Sequence, residues 1–272
     1  MENLQSDHLD TQNLYRDMQK RTGGEIYIGV VGPVRTGKST FIKRFMDVAV
    51  LPYMEDAAQK TRAQDELPQS AGGRTITTTE PKFIPQEAVE LKLAGEVTIR
   101  VRLVDCVGFM VEGAAGHLED GAERLVKTPW YDHEIPFTQA AELGTRKVIT
   151  DHSTIGVVVT TDGSFSDLPQ ETYLDAENQA ISELKKLHKP FLVLVNSSHP
   201  SSRTAREAAE RIEKQHSVAA MPVNCAQLSE EDIRQIMEQI LYEFPVSRVE
   251  FYMPKWVEML PFSHPLKTGL IE

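Results

Sequence analysis

A chain of 272 residues with 40% apolar and 25% charged side chains has the balance of an ordinary globular protein and enough length for one large core. Its net charge of −11, with no long basic block, excludes nucleic acid as the main partner and disfavours direct contact with an anionic membrane surface. The two cysteines, Cys106 and Cys225, are far apart and lack metal-type spacing, which excludes a disulfide framework and fits a reducing compartment.

The opening MENLQSDHLD is polar and acidic, unlike a signal peptide, and no apolar run reaches the roughly 20 residues of a membrane helix. The expectation is a cytosolic protein. Residues 1–22 read as an N-terminal helical extension, with Leu4, Leu9, Leu14 and Met18 loosely on one face, ended by Gly23-Gly24. EIYIGVV (25–31) reads as a buried strand closed by Gly32, and the helix STFIKRFMDVAV follows at once. Residues 51–80 are polar and turn-rich and are predicted irregular, as is a second long stretch over 106–136. Between them lie two predicted strands, 88–93 and 97–104, the second running into Asp105.

Beyond them the pattern predicts a helix over 138–151, a strand over 155–160, a helix over 170–188 and a strand over 191–195. A helix over 202–216, a short strand over 218–223 and a helix over 230–242 follow. Such alternation implies an α/β fold of three layers with a mostly parallel central sheet. The expected organisation is one domain over 23–244 and a Pro-broken, aromatic tail over 245–272 that either packs back or begins a following domain.

Chemistry concentrates in the segment Gly32-Pro33-Val34-Arg35-Thr36-Gly37-Lys38-Ser39, which fits G-x-x-x-x-G-K-[ST] at every fixed position between a strand and a helix. Gly32 lets the chain turn off the strand, and Gly37 lets backbone N–H groups approach an anion. Together with the start of the helix, including Thr40, this loop forms a phosphate cradle. Lys38 is expected to reach the β- and γ-phosphates, and Ser39 to ligate Mg²⁺. RVRLVDCVG then supplies an apolar strand ending in Asp105 and a D-x-x-G turn ending in Gly108. Asp105 at a strand's carboxyl end can hold Mg²⁺, and the Gly108 N–H can meet the γ-phosphate. The chain therefore reads as a P-loop nucleoside triphosphatase, similar to the TRAFAC GTPases.

In that class a threonine before the second strand closes over the γ-phosphate. The run Thr75-Ile76-Thr77-Thr78-Thr79 supplies candidates, and the pattern does not choose between Thr78 and Thr79; it also has the β propensity of a strand start. After FLVLV a GTPase would carry N-K-x-D, whose carboxylate pairs with guanine. Here the residues are Asn196-Ser197-Ser198-His199, so guanine loses its bidentate partner and adenine becomes the expected base. Asn196 either supports the P-loop or caps the next turn. Phe109, not Gln, follows Gly108, so the residue that orients water comes from elsewhere: a switch threonine, Arg35 or a neighbouring subunit. Trp130-Tyr131 and Trp256 read as core or interface anchors, and Cys106 as a buried, inert thiol.

The strings GVVGPVRTGKSTFIKRFM, RAQDELPQS, TTEPKF, RLVDCVGF, TPWYDHEIPF, AAELGTRKVITDHSTIGVVVTTDG and YEFPV resemble the stage IV sporulation protein A family of spore-forming Firmicutes. That resemblance implies an ATPase related to TRAFAC GTPases that polymerises, with ATP hydrolysis, into the basement layer of the spore coat. It implies a place in the mother-cell cytoplasm at the outer forespore membrane, reached indirectly through a small amphipathic peptide, stage V sporulation protein M. A LysM-type morphogenetic protein would tie the layer to the coat. By position it makes Lys38 and Ser39 the Walker A pair, Asp105 the Walker B acid, and Thr78 and Thr79 the sensor threonines. Family members continue into middle and C-terminal domains, so the chain is expected to be limited to the ATPase domain, binding ATP without polymerising.

Overall fold

The computed structural model describes residues 19–68, 80–93, 97–114, 118–119, 122–165 and 168–244, with 256, 259–261 and 264–265 of the tail. Most of the N-terminal extension, the threonine run 75–79 and most of the tail lie outside these.

The β-branched run after Gly24 forms β1 (Glu25–Val31), and α1 (Lys38–Phe45) follows after one glycine-rich loop. The helix then loosens into a π-helical turn over Met46–Val50 and a 3₁₀ turn over Leu51–Tyr53. Residues 51–80 were expected to be irregular, yet they hold α2 (Ala57–Asp65). Asp56 caps it, accepting from the N–H groups of Ala58 at 2.8 Å and Gln59 at 3.2 Å. Only Ala63 of this helix is buried, so the apolar stripe that would have announced it is missing.

The next strand, β2 (Lys82–Leu93), begins well before position 88 and pairs antiparallel with β3 (Val97–Asp105). Pro85 hid its first half. A proline is tolerated there because β2 is the sheet's edge, and the register shifts between Ile84 and Val89.

The stretch 106–136 is also more ordered than its sequence suggests. It contains the short pair β4 (Leu118–Glu119) and β5 (Ala122–Glu123), then the hairpin of β6 (Leu125–Thr128) and β7 (Tyr131–Pro136). Tyr131, Asp132, His133 and Glu134 are all exposed, so no period-2 alternation marks the ribbon.

From there the expected elements appear with small shifts: α3 (Phe137–Lys147), a π turn over Val148–His152, β8 (Ile155–Thr161), α4 (Leu174–Lys186), β9 (Phe191–Asn196), α5 (Arg203–His216), β10 (Ala220–Val223) and α6 (Glu230–Tyr242). A 3₁₀ turn over Gln170–Tyr173 leads into α4. Ser229 and Asp232 form a reciprocal capping box at the start of α6.

The main sheet has the order β10-β9-β8-β1-β3-β2, parallel except for β2. Every residue of β8 and β9 is buried, as strands covered on both faces must be. Alternate side chains feed two cores. Ile28, Val157 and Leu194 pack with Phe41, Ile42 and the α6 residues Ile233, Ile236 and Ile240. Val31, Val158 and Val193 pack with Ile181 and Leu184 of α4 and Ile212 of α5. Full burial of each such side chain contributes about 1.5–3 kcal/mol. Before β1, Arg21 stacks its guanidinium 5.7 Å from the Phe244 ring, tying the start of the described chain to the end of α6. The parallel strands all deliver their carboxyl ends to one side, and there Gly32, Asp105 and Asn196 meet.

Candidate nucleotide site

The loop between β1 and α1 is shaped from within. Gly37 caps α1 at φ 95°, and a Cβ there would fall 2.3 Å from Asn196 Nδ2, so both conformation and space require glycine. Arg35 also holds a left-handed φ of 62°. Thr36 is fully buried; its Oγ1 lies 2.6 Å from Val159 O and 3.0 Å from Pro33 O, so its one proton serves the fold, not the loop's outer surface. Thr40 is half-buried on the first turn of α1.

Lys38 is buried, and its Nζ donates to Pro33 O at 2.6 Å. Desolvation pushes the ammonium's pKa down, while Cys106 and Asp105 pull it back up. Beside it, Ser39 Oγ donates to Asp105 Oδ2 at 2.7 Å, joining the start of α1 to the end of β3. Asp105 Oδ1 accepts from Cys106 N at 2.9 Å. Burial raises the Asp105 pKa, against the lowering effects of the Ser39 bond and the Lys38 charge. A hydroxyl and a carboxylate side by side are the hard oxygen donors that Mg²⁺ takes together with phosphate oxygens, so this pair fits the expected ion.

The D-x-x-G turn is stitched to the loop. Phe109 N donates to Gly32 O at 3.0 Å and Val34 N to Phe109 O at 2.9 Å. Gly108, at φ 98°, lies so close that a Cβ would fall 2.2 Å from Gly32 O and 2.6 Å from Lys38 Nζ. Its N–H donates to Thr145 Oγ1 at 3.2 Å. Phe109 is buried in the core, and its ring has no polar atom with which to orient water.

On the other side, Asn196 bridges two loops. Its Nδ2 donates to Thr36 O at 2.9 Å, and its Oδ1 accepts from Cys225 N at 3.0 Å. The bond to Thr36 O ties Asn196 to the loop between β1 and α1. Ser197 Oγ accepts from His199 N, Ser164 Oγ from Ser198 N, and His199 is exposed.

The profile described as "Stage IV sporulation protein A, ATPase domain" matches residues 9–245. The chain belongs to that family. It is 49% identical to stage IV sporulation protein A of Clostridioides difficile (strain 630) over 259 residues, 95% of this chain and 53% of the relative. Identity to the Bacillus subtilis (strain 168) protein is 45%, and to the Bacillus anthracis protein 44%, each over 264 residues, 97% of this chain and 54% of the relative. The chain thus spans about half the length of the curated relatives it matches. A crystal structure of an SsGBP variant aligns with TM-score 0.45 and 13% identity over 87% of this chain and 64% of that one, too loosely to bear on function.

The structure brings Gly32, Arg35, Thr36, Gly37, Lys38, Ser39, Thr40, Asp105, Gly108 and Asn196 together at the carboxyl ends of the parallel strands. Thr78 and Thr79 lie outside the described residues. Two participants went unread in the sequence. Thr145 is a helix residue 37 positions from the glycine it serves, and the backbone N–H of Cys225 carries no side-chain signature. Cys106 is buried, with its thiol pushed up to about 11 by desolvation, in keeping with an inert group. Tyr131 and Trp256 are exposed, so neither is a core anchor. No helix among the described residues is long and apolar enough to cross a membrane.

Proposed function

We propose that this domain binds ATP with Mg²⁺, and that hydrolysis drives self-assembly of the full-length protein into the basement layer of the spore coat around the forespore. The observation that carries nucleotide binding is the Ser39–Asp105 pair, 2.7 Å apart, at the mouth of a glycine loop braced by Asn196. In this reading the loop N–H groups and Lys38 receive the phosphates. Ser39, Asp105 and one of Thr78 and Thr79 hold the ion, and Gly108 offers its N–H to the γ-phosphate. When bound, Mg²⁺ neutralises charge on the phosphate oxygens as the terminal bond breaks. The side chain at position 199 is an exposed histidine, so no carboxylate there selects guanine, and adenine is the favoured base.

Hydrolysis is slow until assembly or a partner supplies the group that orients water. Partners are a second copy of the protein, the small amphipathic peptide stage V sporulation protein M, and a LysM-type coat protein. Membrane contact is indirect, at the mother-cell face of the forespore.

The test is nucleotide binding and phosphate release for wild type and Lys38→Ala, with ATP and GTP each in Mg²⁺. ATP-selective binding that the substitution abolishes is the expected result. GTP preference would replace the assembly ATPase with a regulatory GTPase switch, and binding indifferent to Lys38 would remove the site itself. Sedimentation with and without ATP, on this chain and on protein extended to the relatives' length, then separates hydrolysis from assembly: only the longer protein should pellet.

A further inference from the structure

Thr145 sits on α3, outside every nucleotide-binding motif, and is fully buried. Its Oγ1 donates to Ala141 O at 2.8 Å, a back-bond to the preceding turn. That commits the hydroxyl's single proton, so the Gly108 N–H at 3.2 Å can only be donating to its lone pair. The result is a relay from the Gly108 amide through a hydroxyl to the α3 backbone. The Gly108 end of the relay lies over the Lys38 ammonium, since a Cβ there would be 2.6 Å from Nζ. Phe109, the next residue, is anchored to the loop through both its N–H and its carbonyl.

We propose that Thr145 is the positioning residue that couples the γ-phosphate position to α3. With diphosphate, the Gly108 N–H donates to Thr145. With triphosphate it donates to a γ-phosphate oxygen, and Thr145 and its helix lose that tie. A charged phosphate oxygen is roughly twice as strong an acceptor as a neutral hydroxyl, which drives the exchange. The inference rests on the nucleotide-binding reading above. It also gives that reading an outlet. At the start of α3, Phe137 N donates to Arg124 O at 2.8 Å, and Arg124 stacks 4.3 Å from the Phe137 ring. The helix thus joins the amide over Lys38 to the β6–β7 hairpin, whose Leu125 and Tyr131 are exposed.

Affinities for ADP and for a non-hydrolysable ATP analogue, both in Mg²⁺, are measured by calorimetry on wild type, Thr145→Val, Thr145→Ser and Lys38→Ala. Valine keeps the shape and removes the hydroxyl acceptor, leaving the Gly108 N–H with only the weakly accepting Cys106 sulfur when ADP is bound. The ratio of ATP-analogue to ADP affinity should rise about 3–10-fold in Thr145→Val, the equivalent of one buried hydrogen bond. It should return to the wild-type value in Thr145→Ser. Lys38-dependent binding with a ratio unchanged by Thr145→Val overturns the role of Thr145 alone. Wild-type binding that does not depend on Lys38 overturns both readings. Should Thr145→Val not fold, amide exchange of wild type over 137–147 decides. Faster exchange with the ATP analogue than with ADP supports the coupling, and equal exchange refutes it.

Discussion

Asn196→Ala tests the brace that holds the phosphate loop. The side chain is buried and makes two hydrogen bonds, to Thr36 O at 2.9 Å and from Cys225 N at 3.0 Å, with Thr36 and Cys225 themselves fully buried. Truncation strands a carbonyl and an N–H, each of which costs about 1–3 kcal/mol when left unpaired away from water. Because the two share one side chain they do not add fully, and about 2–4 kcal/mol is expected in total. Against a domain stability of about 5–15 kcal/mol, that is a large fraction. With a urea m-value of about 3 kcal/mol/M, the unfolding midpoint should fall by roughly 1 M. Asn196→Asp separates the two bonds. It keeps the acceptor for Cys225 N but sets a carboxylate oxygen against Thr36 O, beside the loop meant for phosphates. That variant should recover part of the stability while binding nucleotide at least as poorly as the alanine variant. An Asn196→Ala unfolding free energy within about 0.5 kcal/mol of wild type, with unchanged affinity, would refute the brace.

Three further perturbations probe the surroundings. Gly108→Ala forces a Cβ to 2.2 Å from Gly32 O at φ 98°, so calorimetry should show nucleotide affinity at least tenfold weaker; unaltered binding would mean that the turn is free to move. Glu177, buried on α4, accepts from Thr160 Oγ1 at 2.6 Å and pairs with Arg211 at 2.8 Å, a contact that is an ion pair rather than an aligned hydrogen bond. Glu177→Ala should cost about 3 kcal/mol in urea unfolding, since it leaves Arg211 without its buried partner. Burial, helped by Lys185 and Arg211 and opposed by Glu177, holds His216 below the ordinary imidazole range. The unfolded chain therefore binds the proton more readily, and this contribution to stability is present above about pH 6.5 and is lost as pH falls below it. The stability difference between wild type and His216→Gln should shrink between pH 7.5 and pH 5.5, and a difference independent of pH would show that the imidazole is not perturbed.

Legibility differed by region for physical reasons. Elements that bury an apolar stripe or run, such as β8, β9 and α6, announced themselves through period. The first half of the edge strand β2 and helix α2 did not, because Pro85 interrupts one and the other buries little beyond Ala63. The hairpin β6–β7 was missed for the same reason: a ribbon with mostly exposed side chains has no hydrophobic code to read.

At the site, the sequence by itself determined the chemistry. The spacing of Gly32, Gly37, Lys38 and Ser39 demands a tight turn ahead of a helix, and backbone sterics enforce that locally. The apolar run into Asp105 likewise placed a carboxylate at a strand end. Only the tertiary structure decided which distant groups complete the loop. Asn196 ends a strand, Thr145 lies on a helix and the Cys225 N–H belongs to a turn, and each of these bonds pairs a side chain with a backbone atom of a kind that nearly every residue possesses. A hydrogen bond to a backbone carbonyl or amide imposes no side-chain pattern on the residue that supplies it. Parallel pairing of β1 with β3 and β8, and of β9 with β8 and β10, sets which strand ends become neighbours, and through them which of these bonds can form.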